Sequence, residues 1–254
     1  QDGVDMNKAT AKNERTPLFI ACSKGHTKVV DMLLAQDGVD VNQAEKNGAT
    51  PLYISSQGGH SEVVQRLLVH DGVDVNKAEK NGRTPVYIAS QVGHFEVVER
   101  LLAKDGVNVN EADRYGRTSL YVACSKGHTK VVDTFLAQDG VDVNQADKNG
   151  ATPLFIASQE GHAKVVERLL AQHGVDVNQT YKDGRTPLCI ASLNGHLEVV
   201  QMLLAQDGVD VNKANATPLF LASFKGHAKV VERLVAQDGV DMNKAEKNGR
   251  TPLT

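Results

Sequence analysis

The dipeptide Gly-His ends at His26, His60, His94, His128, His162, His196 and His227, a spacing of 34 residues five times and then 31. Thr-Pro occurs in the same frame at Thr16, Thr50, Thr84, Thr152, Thr186, Thr217 and Thr251; at the remaining place, Thr118 is followed by Ser119. A chain written as copies of one short sentence builds copies of one supersecondary unit, and no copy can bury its apolar face alone. Neighbouring copies must stack to share a core. The frame gives units 11–44, 45–78, 79–112, 113–146, 147–180, 181–214 and a short 215–245, with partial units at 1–10 and 246–254. One repeat domain over 1–254 is expected. A longer period overlies the first. Residues 20–30 (IACSKGHTKVV) and 122–132 (VACSKGHTKVV) differ at one position, and unit two resembles unit five, so a block of three units has been duplicated.

Unit 45–78 reads EKNGATPLYISSQGGHSEVVQRLLVHDGVDVNKA. Asn47-Gly48 is a turn signal, because both residues tolerate positive φ. Thr50 can cap a helix, and Pro51 suits the first helical position, where no intrahelical N–H is needed. This first helix runs about two turns, to the stop at Gly58-Gly59. A second helix follows, with Val63, Val64, Leu67 and Leu68 forming one apolar stripe. Asp71-Gly72 is expected to end it, and VDVNKA to return as an extended segment. Helices shorter than about 12–15 residues are marginal alone in water, so the stripe must be buried against neighbours. The fold class is therefore all-α, a helix-turn-helix repeat solenoid with turn or β-hairpin tips.

The pattern NG-x-TPL-x-x-A, GH-x-x-VV-x-x-LL and DVN, repeated across the whole chain, resembles the ankyrin repeat. Two departures stand out. The usual period of about 33 is exceeded by one residue, placed between the second helix and the return (LLAQDGVDVN). The TPLH histidine of the family is replaced by Phe19, Tyr53, Tyr87, Tyr121, Phe155, Cys189 and Phe220. The resemblance implies a protein–protein interaction scaffold that binds on a concave face made by turn tips and first helices. It also implies candidates for asparaginyl hydroxylation at Asn42, Asn76, Asn144, Asn178 and Asn212, each with a leucine eight residues before. Hydrogen bonding of the local turn is the expected main role of these asparagines.

Composition excludes several classes. The net charge of −3 and a pI near 6.3 favour neither nucleic acid nor a membrane as partner. No apolar run approaches the ~20 residues needed to span a bilayer. Three cysteines without a CxxC pair read as buried thiols in a reducing compartment, cytoplasmic or nuclear. On that ground the sequons at Asn178 and Asn215 are discounted. The histidine column places one histidine per unit, too far from the next to share a metal ion, so its expected role is to fix the start of the second helix. His60-Ser-Glu62, His94-Phe-Glu96 and His196-Leu-Glu198 match the H-x-E of zinc deaminases, without the P-C-x-x-C which that chemistry needs. Phosphate-loop, metalloprotease and hydrolase signatures are missing. No enzyme, cofactor or metal site is expected.

The aromatic column is expected to wedge between units. Packed helices lie ~8–10 Å apart, more than the ~4.5–7 Å that separates stacked rings. A partner must read what differs between units. The candidate contact residues are Arg15, Lys24, Gln57, Val92, Arg114, Tyr115, Arg117, Glu160, Tyr181, Lys182, Arg185, Leu193, Asn194, Phe224 and Lys225. Tyr181, Arg185, Leu193 and Phe224 form the cluster of most interest, since exposed aromatics and arginines suit interface hot spots. By helical angle, the first variable position of the first helix lies about 40° from the aromatic column, so the two are expected to line one stripe. A structural spacer or elastic tether is the alternative function.

The chain opens on Gln1 and closes on Thr-Pro-Leu-Thr, so continuation on both sides is expected, with a monomer and end-to-end contacts through uncapped termini. The tip VNKANATPLF (211–220) is three residues shorter than VNKAEKNGRTPVY (75–87). Either the tip is truly short, which would pull units six and seven together there, or three exposed tip residues stand omitted between 213 and 217; the second is expected.

Overall fold

Thr-Pro opens the first helix of each repeat as its chemistry requires. The Thr50 hydroxyl accepts the Tyr53 N–H at 3.1 Å, and Pro51 follows in the first turn. Thr16, Thr84, Thr152, Thr186 and Thr217 cap in the same way. The structure is a computed structural model that describes residues 6–213 and 217–244. The shortened tip with Asn215, and the last partial unit with Thr251, lie outside the described residues.

The first helices of the repeats are α1 (Pro17–Ser23), α3 (Pro51–Gln57), α5 (Pro85–Val92), α7 (Ser119–Lys126), α9 (Pro153–Glu160), α11 (Pro187–Asn194) and α13 (Pro218–Lys225). The second helices are α2 (Thr27–Leu34), α4 (Ser61–Leu68), α6 (Phe95–Leu102), α8 (Thr129–Leu136), α10 (Ala163–Leu170), α12 (Leu197–Leu204) and α14 (Ala228–Val235). Among the described residues there is no strand, only an isolated bridge between Ala112 and Thr118 at one tip.

The chain divides into two units, 1–119 and 120–254. In the first, α3 packs between α1 and α5, and α4 between α2 and α6. In the second, α11 packs between α9 and α13, and α12 between α10 and α14. The stripe drives this stacking. Val63, Val64, Leu67 and Leu68 are all buried, each contributing about 1.5–3 kcal/mol by leaving water. The stripe has two sides. Val29 in α2 is 44% exposed where its counterpart Val63 is 1% exposed, so the first valine of the pair faces the preceding repeat.

Within each of the two units, two polar bonds join one repeat to the next. The histidine column does not cap its own helix: His60, His94, His162, His196 and His227 stand at the N-cap position without a side-chain cap bond. Each ring instead reaches the end of the preceding first helix. His94 Nε2 meets the Gln57 carbonyl at 3.1 Å and His196 Nε2 meets Gln159 at 3.0 Å. A carbonyl only accepts, so Nε2 carries the proton. Gly25, Gly59, Gly127, Gly161 and Gly195 of the Gly-His pairs make room for the next ring. A Cβ on Gly161 would lie 2.6 Å from two atoms of the His196 imidazole.

The DVN asparagines also bond outward rather than within their own turn. Asn42 donates to the Gly72 carbonyl at 2.7 Å and accepts the Asp74 N–H at 2.8 Å. Asn76, Asn144, Asn178 and Asn212 repeat the donor bond into the following loop. The shortened copy leaves both bonds in register: His227 meets the Leu193 carbonyl at 3.0 Å, and Asn212 the Gly239 carbonyl at 2.7 Å.

Three local expectations are corrected. Of Asn47 and Gly48, only Gly48 adopts positive φ (+89°), and the turn closes by Gly48 N–H to the Glu45 carbonyl. Helix α4 stops at Leu68, ahead of Asp71-Gly72. The return is not extended. Asp74 accepts the Asn76 N–H on its carboxylate and the Lys77 N–H on its carbonyl, which holds a turn there.

Candidate functional site

Tips are built by an acid that turns inward. Glu45 accepts the Asn47 N–H at 2.7 Å, Glu79 accepts Asn81 at 2.9 Å, and Asp147 accepts Asn149 at 2.8 Å. Tips are also tied to each other, Lys46 N–H to Asn13, Lys80 to Asn47, Arg114 to Asn81 and Lys182 to Asn149. The carboxylates are thus consumed by the backbone, and the basic side chains are left outward. Lys46, Lys80 and Arg114 are exposed while Glu45 is buried.

The fourth tip carries the most elaborate cluster. Asp113 is 4% exposed and accepts from Arg117 Nη2 at 2.6 Å, from Tyr87 Oη at 2.9 Å and from the Tyr115 and Arg117 backbone N–H groups. Burial pushes its carboxyl up, but the Arg117 side chain and the other donors together hold it below its usual value. Tyr115 is half exposed, with the Arg114 and Arg117 guanidinium groups 4.7 and 4.8 Å from its ring centre. This brings together three of the sequence candidates.

Elsewhere in residues 1–119, Arg15 lies 5.4 Å over the buried Phe19 ring. Arg15 and the exposed Gln57 line one cavity of about 220 Å³, floored by Phe19 and Tyr53. Burial, and then the nearby Glu79 carboxylate, push the Tyr53 phenol up to about 12. Lys24 and Val92 are exposed at the far ends of α1 and α5, about 10 Å of helix from the tips.

In residues 120–254, four candidates are each held by a neighbour. Tyr181 stacks on Phe155, ring centres 5.3 Å apart and planes at 15°. Arg185 pairs with Asp183 at 2.5 Å, close enough to Tyr181 and Cys189 to feel both. Leu193 packs against Cys189, Phe220 and Leu221. Phe224 stacks on Phe220 at 6.2 Å and is still 66% exposed. Lys182 sits over the Tyr181 ring and Lys225 over Phe224. Asn194 donates to the Gln159 carbonyl, and Glu160 accepts from the Gln159 amide.

The stripe expected to join the aromatic column to the variable positions is divided. The column is buried from Phe19 to Phe220, whereas Gln57 and Phe224 are exposed and Leu193 is half-buried. The column side chains fill the space between repeats, as a core must. At Phe220–Phe224 the apolar surface runs outward. The cavity under Arg15 was not legible beforehand; its one signal was Ala49, where the third repeat has Arg83.

Family comparison follows the same frame. The model described as ankyrin repeats in three copies matches residues 2–79, 57–147 and 135–215, and the single ankyrin repeat matches 214–247. The chain belongs to the ankyrin-repeat family. No curated protein matches it in sequence. Ankyrin repeats are in general protein–protein interaction modules and typically non-enzymatic. Among the described residues, no helix is long and apolar enough to cross a membrane.

Proposed function

We propose that this ankyrin array is a scaffold that binds a partner protein or peptide on the face formed by its tips and first helices. The observation that carries the reading is Phe224, 66% exposed at the end of α13 and continuous through Phe220 with Leu193. An aromatic held rigid by stacking, flanked by cations such as Lys225, has the character of an interface anchor. Tyr181 and Arg185 extend the same surface. Cytoplasmic or nuclear work belongs to this reading, supported by three buried thiols; burial pushes that of Cys22 up to about 12. The test is capture from native lysate by the wild type and by a Leu193→Glu/Phe224→Glu variant. A saturable protein partner lost by the variant is the expected result, and an unchanged partner set overturns the surface.

A second reading is a spacer or tether. The identical histidine and asparagine bonds between repeats favour it. It requires that array length govern function and that the double variant behave as wild type.

A further inference from the structure

Repeats two and five begin almost identically, EKNGATPLYISSQ (45–57) and DKNGATPLFIASQ (147–159). Both carry Ala at the tip position, Ala49 and Ala151, where the third and sixth repeats carry Arg83 and Arg185. A small tip residue leaves space above the column ring. In repeat five that space is taken by Tyr181 of the following tip, stacked on Phe155 at 5.3 Å. In repeat two the corresponding residue is Glu79, whose carboxylate turns back onto the Asn81 N–H and amide at 2.9 Å each. The space stays open as the cavity of about 220 Å³, lined by Arg15, Phe19, Ala49, Tyr53, Ile54 and Gln57 among others. Ile54 is half-buried, whereas its counterpart Ile156 is 8% exposed.

The cavity is below the ~300 Å³ at which pockets for drug-sized ligands begin. It has room for one side chain. Its own lining holds one cation, Arg15, and two carboxylates, Glu45 and Glu79, both turned onto tip N–H groups; exposed on the first three tips are Lys12, Arg15, Lys46 and Lys80, against Glu14 alone among exposed acids. Glu45 is buried in its turn and Glu79 is engaged by Asn81.

We infer that this cavity receives one aromatic side chain from an acidic protein segment, the ring lying over Tyr53 as Tyr181 lies over Phe155. The segment's carboxylates meet Arg15, Lys46 and Lys80. This rests on the interaction reading above and names a partner chemistry for a different part of the same face.

The chain contains no tryptophan, so a tryptophan in the ligand reports without background. The probe is the acetylated, amidated peptide Glu-Glu-Trp-Glu-Glu, titrated with the full chain at low ionic strength while tryptophan emission and anisotropy are read. Saturable binding is expected, with Lys-Lys-Trp-Lys-Lys about tenfold weaker or worse. Glu79→Tyr, which rebuilds the repeat-five stack, is expected to weaken the acidic peptide about tenfold. Ala49→Arg fills the cavity by a second route. Because it adds positive charge, loss of binding in this variant cannot come from a weaker field. Unchanged thermal melting by circular dichroism shows that each variant is folded. No saturable binding, equal affinity for the acidic and basic peptides, or full binding by the folded Glu79→Tyr and Ala49→Arg variants overturns the inference. None of these outcomes touches the capture by Leu193 and Phe224, so the pocket and the scaffold reading fail separately.

Discussion

Two sides of each repeat are built on opposite rules. On the loop side, the same two bonds recur. Asn42, Asn76, Asn144, Asn178 and Asn212 donate to the next loop at 2.7–2.8 Å. His60, His94, His162, His196 and His227 meet the preceding helix end at 3.0–3.3 Å. On the tip side, what meets the column residue or covers it differs between repeats. Arg15 covers Phe19, Tyr87 bonds Asp113, Tyr181 stacks on Phe155, and the Thr186 hydroxyl meets Cys189. Stacking energy requires only that each neighbour be met in the same way, whereas recognition requires difference. On the proposed function, stability rests on the loop side and binding on the tips, and mutation can break that division.

The largest effect is expected where a glycine receives a histidine. Gly161 has φ of +74°, and its Cβ would strike the His196 ring. Gly174 has φ of +81° with nothing within 4 Å. Gly174→Ala should therefore cost only the left-handed backbone penalty, about 1–2 kcal/mol. Gly161→Ala should cost about 2–4 kcal/mol, because the ring must also leave and surrender its bond to Gln159. Urea unfolding of both variants, repeated in a His196→Ala background, measures the coupling. In that background Gly161→Ala should fall to the cost of Gly174→Ala. An unchanged difference would mean that the glycine and the histidine are not a pair.

The pairing illustrates how much of the molecule was legible in its letters. The glycine, histidine and asparagine columns were visible, as were both helices, the threonine cap and the apolar stripe, because all of these are local or periodic. What the columns touch was not visible. Gly161 and His196 lie one repeat apart, and so does every other copy, so spacing cannot say which neighbour a side chain meets or on which face. The asparagines were expected to serve their own turn for that reason. At the tips the odd residue, Tyr181 in place of an acid, could be read directly. The cavity over Tyr53 could not, because it is a space left jointly by Ala49 and Glu79, and a space has no letter.

Next in size is the charged centre of the fourth tip. Asp113 is buried, and its folded-state pKa lies below the ordinary carboxylate value because its donors outweigh burial. A depressed pKa contributes stability that is fully present above the unfolded value, about 3.9. That contribution is lost as pH falls through the folded value. Asp113→Asn should lower stability by about 1–3 kcal/mol at pH 7, since the Arg117 and Tyr87 donors lose a charged acceptor. The gap to wild type should then narrow between pH 4.5 and pH 2.5, measured by urea unfolding at each pH. A constant gap across that window would show that the tip carboxylate is not the titrating partner of Arg117.

The smallest effect tests the assignment most directly, by comparing two residues that lie four positions apart on opposite sides of the rule. Asn178 donates to the Gly208 carbonyl at 2.8 Å and accepts the Asp210 N–H at 2.9 Å, so its amide closes two bonds into the next loop. Lys182 donates to the Asn149 side chain at 3.1 Å and lies over the Tyr181 ring at 5.5 Å, but it is exposed. Exposed groups find water when a partner is lost, so Lys182→Ala should stay within about 0.5 kcal/mol of wild type. Asn178→Ala removes a two-way link at a half-buried position and should cost about 1 kcal/mol or slightly more. Partner affinity should move in the opposite sense, with Asn178→Ala neutral and Lys182→Ala weaker. Unfolding and binding measured on the same two variants decide the matter. If Lys182→Ala proves the more destabilising, the tips carry stability as well as difference, and the division between the two sides of the repeat fails.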